Sequence, residues 1–269
     1  MIKSKKNPHI QLLKDLLHDR DSRNKTNRFV VEGVRLVEES LSNNFDIQNS
    51  FYTGGVSERG MILIEKMRGY GIPTEEVDEA VFRSTMDTTN SQGIAVICRK
   101  PDLPVPENLD FVVIADQFRD PGNLGTLLRT AAAAGAQAIF TTRGTVDLWS
   151  PKVVRSAMGA HFHLFCKEFD WTQISSSLHN KFISQPIVFS AIAESKNVYT
   201  QFDYSLPVVF FIGNEAEGLS DEAIKLSDYE IKIPMPGKFE SLNAAVAAGI
   251  ILFEVVRQRT KFFDQGDHE

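Results

Sequence analysis

Beyond residue 110 the chain carries six short apolar runs: FVVIAD, AQAIFTT, HFHLFCK, PIVFSAI, VVFFIGNE and IKIPM. Runs of this length, rich in Val, Ile and Phe, read as strands, and strands that alternate with helices over short connections build a mainly parallel sheet. The first run leads into DPGNLGTLLRTAAAAG, Asp120 to Gly135. There Asp120 or Asn123 suits the helix cap, Pro121 suits the first turn, and Leu127, Leu128, Ala131 and Ala134 share the apolar side. SPKVVRSAMGA reads as a short helix capped by Ser150, with Pro151 at its first position. SLNAAVAAGIILFEVVRQR is the terminal helix. Its stripe Leu242, Val246, Gly249, Phe253, Val256 is widened by Ala245, Ala248 and Leu252, so it is expected to be buried on most sides.

The segment KPDLPVPENLD, residues 100–110, holds three prolines and no apolar period, so it reads as a linker. Ahead of it strands RFVVEG, FDIQNSFYT and GIAVICRK alternate with helices VRLVEESLSNN and MILIEKMRGYG, the latter closed by Gly71. The same rule predicts a mainly parallel sheet there. The domain reading is therefore residues 1–103, a linker over 101–110, and a second domain over 108–263. A chain of 269 residues with 42% hydrophobic content is sufficient for two cores.

No apolar stretch approaches the ~20 residues of a membrane span, and the opening MIKSKKNPHIQLLKDLLHD turns charged too soon for a secretory signal. Cys98 and Cys166 offer neither a disulfide framework nor metal-ligand spacing, so a cytoplasmic location, or an organelle matrix, is expected. His161 and His163 alternate along a predicted strand without an acidic or cysteine partner at ligand spacing, so no metal is expected. The net charge of −6 is unevenly spread. Residues 1–35 carry nine basic against four acidic side chains, leaving +5 there and −11 on the remainder. A basic leading segment on an acidic body suits a phosphate-bearing partner, although a solvated face has the same composition. Arg23, Lys25 and Arg28 in that segment, with Lys152 and Arg155 on the short helix, are the candidate RNA-phosphate ligands.

Three clusters could carry chemistry. In the first, Arg129 projects from the helix opposite its apolar side. Read as lying near the positive helix end, it calls for an anion, or for a neighbouring acid. The second, FIGNEAEGLS, places Glu215 and Glu217 on a glycine turn after a strand, where α/β proteins bind ligands, and Ser220 caps the next helix. Those glutamates suit Arg129, ribose hydroxyls or plain solvent. The third, IKIPMPGKFESLNAAVAAG, sets Ser241 and Asn243 at a helix entrance, where capping alone would also explain them.

In this order and spacing, DPGNLGTLLRTAAAAG, GNEAEGLS and IPMPGKFESLNAAVAAGIILFE resemble the three motifs of the SpoU (TrmH) family of RNA 2′-O-ribose methyltransferases, in the SPOUT superfamily. The resemblance spans Phe111 to Arg259. NRFVVEGVRLVEESL resembles the small α/β, ribosomal-protein-like RNA-binding domain that many members carry in front. It implies an α/β catalytic domain with a parallel sheet and a deep trefoil knot, S-adenosylmethionine as cofactor, and a homodimer with the active site near its interface. Asn123 and Arg129 match the first motif, Glu215 the second, and Ser241 and Asn243 the third, as catalytic positions. Cofactor contacts fall on Gly213, Ile233 and Leu242. Ala244 and Ala245 depart from the common valine and serine, which bears on local packing. The implied substrate is 23S-type large-subunit rRNA, with guanosine favoured, rather than tRNA. The alternatives are a tRNA 2′-O-methyltransferase or a non-catalytic RNA-binding ribosome assembly factor. A dinucleotide oxidoreductase is disfavoured, because the third glycine and the ribose-binding acid are missing.

Overall fold

The computed structural model describes residues 1–214, 216–237 and 241–260. In chain order its first elements are α1 (Pro8–His18), α2 (Arg20–Thr26), β1 (Arg28–Glu32), α3 (Val34–Ser42), β2 (Ile47–Tyr52), α4 (Glu58–Gly69), β3 (Thr74–Glu76), α5 (Glu79–Thr85) and β4 (Ile94–Arg99). There follow β5 (Phe111–Asp116), α6 (Pro121–Ala133), β6 (Ala138–Thr141), α7 (Pro151–Ser156), β7 (Phe165–Glu168), α8 (Trp171–Asn180), β8 (Ile187–Ala191), β9 (Val208–Gly213), α9 (Asp221–Leu226), β10 (Tyr229–Ile231) and α10 (Ala244–Thr260). Two compact units result. One is Met1–Leu103 with Trp149–Phe162; the other is Pro104–Leu148 with His163–Glu269.

The leading unit holds a four-stranded sheet of order β1-β4-β2-β3. The expectation of a mainly parallel sheet fails here, because β4 pairs antiparallel with both β1 and β2 and only β2–β3 is parallel. The cause lies in what precedes β4. Helix α5 has seven residues, about 10 Å, too few to return the chain to the amino ends of the strands. Thr53 N–H donates to the Gly93 carbonyl at 2.9 Å, which fixes the start of β4 at the carboxyl end of β2. The last strand therefore enters the gap between β1 and β2 from the opposite direction. Leu13, Leu16, Val30, Phe51, Phe82 and Ile97 fill one core against this sheet.

Two arginines named as RNA candidates are structural in this unit. Arg23 is 4% exposed, and its Nη1 donates to the Leu16 carbonyl at 2.7 Å, so its charge serves the C-terminal turn of α1. Arg155, on α7, lies 3.3 Å from Asp87 and 3.8 Å from the buried Glu32, whose carboxylate also accepts from the Thr88 hydroxyl. Lys25 and Lys152 are exposed and Arg28 is half-buried. Ser150 does precede α7 and Pro151 does open it.

In the second unit six strands, in the order β10-β8-β9-β5-β6-β7, pair only in parallel. The central β5 is buried at all six residues, as an all-apolar run ending in one aspartate should be when helices cover both faces. HFHLFCK is only partly a strand. Ala160–Phe162 form a 3-10 turn and β7 starts at Phe165, so His161 and His163 do not alternate on one face. His161 packs on Trp149, with ring centroids 5.1 Å apart. Among the described residues no group of three metal-ligating side chains occurs, and no helix is long and apolar enough to cross a membrane.

Helix α10 lies against α6, where a side chain at Gly249 would meet Thr130 at 3.5 Å. Its far end is held by Arg259, which donates to the Tyr204 carbonyl at 2.9 Å and reaches Asp110 at 3.2 Å. The helix is not buried on most sides. Ala244, Ala245, Ala248, Ile251, Leu252 and Val255 face the core, while Leu242, Val246, Ile250 and Phe253 are 36–52% exposed. The apolar stripe read from the sequence is largely the uncovered side.

Arg155→Met leaves the Glu32 carboxylate buried without its cation and should lower the unfolding free energy by about 3 kcal/mol. Lys14→Met, at an exposed site on α1, should change it by less than about 0.5 kcal/mol. Urea unfolding of the two variants checks this contrast.

Candidate active site

The second sheet has a switch point between β9 and β5, since the chain runs β5-β6-β7 to one side and places β8 and β9 on the other. Loops leaving neighbouring strands there diverge and open a crevice at the carboxyl ends. Two interactions cross it. Asp116, fully buried at the end of β5, accepts from Ser220 N–H at 2.7 Å and from the Thr142 hydroxyl at 2.7 Å. Arg119 Nη2 donates to Glu217 at 2.7 Å across the exposed rim. Sequence reading missed both Asp116 and Arg119. The signal for Asp116 was a lone carboxylate closing an otherwise apolar strand; nothing local marks Arg119.

On the β9 side of the switch point lies a cleft of about 570 Å³. Its walls are the ends of β8, β9 and β10, the turn after β9, and the entrance of α10. Gly213, Ile233, Leu242 and Ser241, assigned separately from sequence, all line it. At Gly213 any Cβ would sit 2.3 Å from the Gly218 carbonyl oxygen, so the turn closes onto the strand backbone and only glycine permits it. Gly218 itself has φ +71°. The turn is braced by Asn214, whose Oδ1 accepts from the N–H groups of Ala216 and Glu217, both at 2.9 Å. That leaves the Asn214 Nδ2, buried in the cleft lining, with no partner among the described residues.

The first and third motifs meet. Asn243 Nδ2 donates to Asn123 Oδ1 at 3.0 Å, 120 residues apart in sequence. Asn243 also caps α10 through Oδ1, which accepts from Ala245 N–H at 3.0 Å and Val246 N–H at 3.2 Å. One side chain thus starts the helix and ties it to α6. Asp120, not Asn123, caps α6, accepting from Asn123 N–H at 2.8 Å. Ser241 is exposed and lines the cleft, and Ser220 caps α9 as expected.

Arg129 stands apart from this group. It is the ninth of thirteen residues in α6, so it is not near the positive helix end and the dipole argument for an anion there does not hold. It lies about 9 Å along the axis from Asn123 and roughly 120° around it. It is exposed, without an ion pair or hydrogen bond among the described residues, and it does not line the cleft. Glu217, one of its candidate partners, is taken by Arg119. Glu215, the other, lies outside the described residues.

The cleft suits an adenosyl group. Ile212, Ile233 and Leu242 supply flat apolar surface, the strand ends and tight turn supply backbone polar groups, and Asn214 supplies an unspent donor. Fold and cleft together define a nucleotide-cofactor-binding α/β protein. The model of the SpoU rRNA methylase family matches residues 110–253, and that of the MRM3-like substrate binding domain matches residues 7–96. The chain is 30% identical to the 23S rRNA (guanosine(2553)-2′-O)-methyltransferase RlmP of Bacillus subtilis, covering 94% of this chain and 98% of that one. It is 31% identical to the 23S rRNA (uridine(2479)-2′-O)-methyltransferase of Streptomyces viridochromogenes, over 94% and 91%. The AdoMet-bound rRNA methyltransferase of Sinorhizobium meliloti superposes with a TM-score of 0.83 at 30% identity, over 95% and 97% of the two chains. The chain belongs to the SpoU rRNA methylase family. It is an RNA ribose 2′-O-methyltransferase with S-adenosylmethionine as its cofactor.

Gly213→Ala forces the turn at Gly218 away from β9. Calorimetry should show S-adenosylmethionine affinity reduced at least about tenfold, equivalent to about 1.4 kcal/mol, in a protein that still unfolds cooperatively.

Proposed function

We propose that this chain methylates a ribose 2′-hydroxyl in large-subunit ribosomal RNA, with guanosine the favoured nucleoside, and that it works as a cytoplasmic or organelle-matrix homodimer. The observation that carries the reading is the Asn243–Asn123 hydrogen bond, which joins the first and third motifs beside the cleft that Gly213, Ile233, Leu242 and Ser241 line. The similarity to RlmP, which acts on a guanosine of 23S rRNA, supports the substrate. The uncovered stripe Leu242, Val246, Ile250, Phe253 supports a second copy of the chain, since it begins at the cleft wall itself. Residues 1–103 form the RNA-binding domain in this reading, residues 108–263 form the knotted catalytic domain, and Lys25, Arg28 and Lys152 remain candidate phosphate ligands.

When bound, S-adenosylmethionine supplies an electrophilic methyl group. The protein must hold the ribose oxygen in line with it and let the hydroxyl proton leave as the new bond forms. Ser241, Asn243 and Asn123 orient ribose and cofactor, and Gly213, Ile233 and Leu242 hold the cofactor. Arg129 is a poor general base. A guanidinium stays protonated in proteins and has no acceptor lone pair. Its exposed position, without a partner among the described residues, fits a bidentate clamp on the target phosphate, which stabilises charge developing on the 2′-oxygen, with a phosphate oxygen or water receiving the proton.

Arg129→Lys retains the charge and loses the planar fork. Methyl transfer to RNA should fall at least about 100-fold while S-adenosylmethionine affinity stays unchanged. A loss of only a few-fold removes the clamp from the mechanism. The substrate is tested by mapping alkali-resistant linkages in RNA from cells with and without the gene. A missing 2′-O-methyl mark in large-subunit rRNA is expected, and a mark missing only from tRNA overturns the assignment.

A further inference from the structure

A second cleft, of about 460 Å³, opens in the leading unit at the carboxyl end of its sheet. Because β1, β2 and β3 run in the same direction, α3, α4 and α5 all begin at that end. We infer that this cleft binds a phosphate and its nucleoside in the RNA substrate, through Arg35, Arg59 and Arg83. The inference rests on the reading of RNA as substrate and adds to it a site away from Arg28, one of the basic residues that the sequence singled out. Arg28 starts β1, whereas the cleft lies past its other end, about 13 Å away along the strand.

Three arginines and a single acid, Glu79, line the cleft, so its walls carry a net positive charge. Arg35 makes no ion pair among the described residues. Arg83 pairs with Glu79 at 2.6 Å and Arg59 pairs with Glu38, but both pairs are solvent-exposed on each side. Such pairs are weak and exchange readily for a phosphate, which takes two parallel bonds from a guanidinium. The floor is apolar, made by Val34 and Phe82, which suits the face of a base or sugar. Ser57 and Ser91 add hydroxyls, and the buried Thr53 lies in the same lining. The first turn of α3 has no side-chain cap at Gly33; the Gln92 side chain takes the Val34 N–H at 2.7 Å instead. Gln92, which also lines the cleft, thereby spends its side-chain oxygen on the start of α3.

The test pairs Arg35→Gln/Arg83→Gln with Lys14→Gln/Lys66→Gln, which removes the same charge from exposed positions elsewhere on the unit. An unmodified large-subunit rRNA transcript is the probe. The cleft variant should bind it at least tenfold more weakly, with the slope of log affinity against log salt reduced by about one to two. KM for RNA should rise with kcat and S-adenosylmethionine affinity unchanged, and the control pair should stay within twofold of the parent. Equal losses in the two variants, or a loss under twofold in the cleft variant, overturn the inference. If the cleft variant alone loses RNA affinity while the parent protein transfers no methyl to rRNA, the cleft stands and the substrate assignment fails.

Discussion

The carboxylate of Asp116 is completely shielded from water at the end of the central strand, and both of its oxygens are engaged. One accepts from Thr142, beyond β6; the other accepts from the N–H of Ser220, which caps α9 after the turn that walls the cofactor cleft. A buried charge costs several kcal/mol unless strong hydrogen bonds offset it, and bonds to a charged acceptor contribute about 1.5–3 kcal/mol each. The strand thus holds two neighbouring loops at fixed positions. Arg119 and Glu217 add an exposed tie across the same crevice, worth far less by itself. The cleft keeps its shape because its wall is fastened from beneath.

Close backbone approach does the rest. At Gly213 the turn lies so near the strand that no side chain fits, and the surface offered to a ligand there is peptide rather than side chain. Asn214 uses its carbonyl oxygen to make the turn and leaves its amide nitrogen without a partner among the described residues. Asn243 likewise has two tasks: its oxygen starts α10 and its nitrogen reaches Asn123. Both asparagines are needed structurally; Asn214 keeps its amide nitrogen in the cleft lining, and Asn243 ties the first and third motifs together. This is why capping and chemistry could not be separated by reading the residues alone.

Four strands of the second sheet, the cap at Ser220 and the opening of α7 were legible because they depend on local rules of apolar runs, Pro at a first turn and Ser at a cap, whereas HFHLFCK is strand only from Phe165 and IKIPM meets β10 only at Ile231. The leading sheet was not. Alternation of strands and helices predicts parallel pairing only if each helix returns the chain to the starting end, and α5 is too short to do so. Arg23 and Arg155 read as surface cations because charge is visible in a sequence and burial is not; the structure spends one on helix carbonyls and the other on Glu32. The stripe on α10 had the right period and the wrong side, since Ala244, Ala245 and Ala248 pack inward with Ile251, Leu252 and Val255, while Leu242, Val246, Ile250 and Phe253 remain uncovered. Small residues let α10 approach α6 closely, and that contact outweighed the larger apolar area of the opposite face.

By itself the sequence determined the family, through three motifs whose residue types and order are too long to coincide by chance, and the α/β class, through periodicity. Only the tertiary structure decided which residues meet. It brought Asn123 to Asn243 and gathered Gly213, Ile233, Ser241 and Leu242 around one cleft. It left Arg129 exposed on the flank of α6, without a partner among the described residues, and gathered three arginines at the carboxyl end of the leading sheet. The reason is that secondary structure follows local torsion and periodicity, whereas a site is made where strand ends and helix starts converge. Strand order, which the chain settles through long-range packing, decides that convergence.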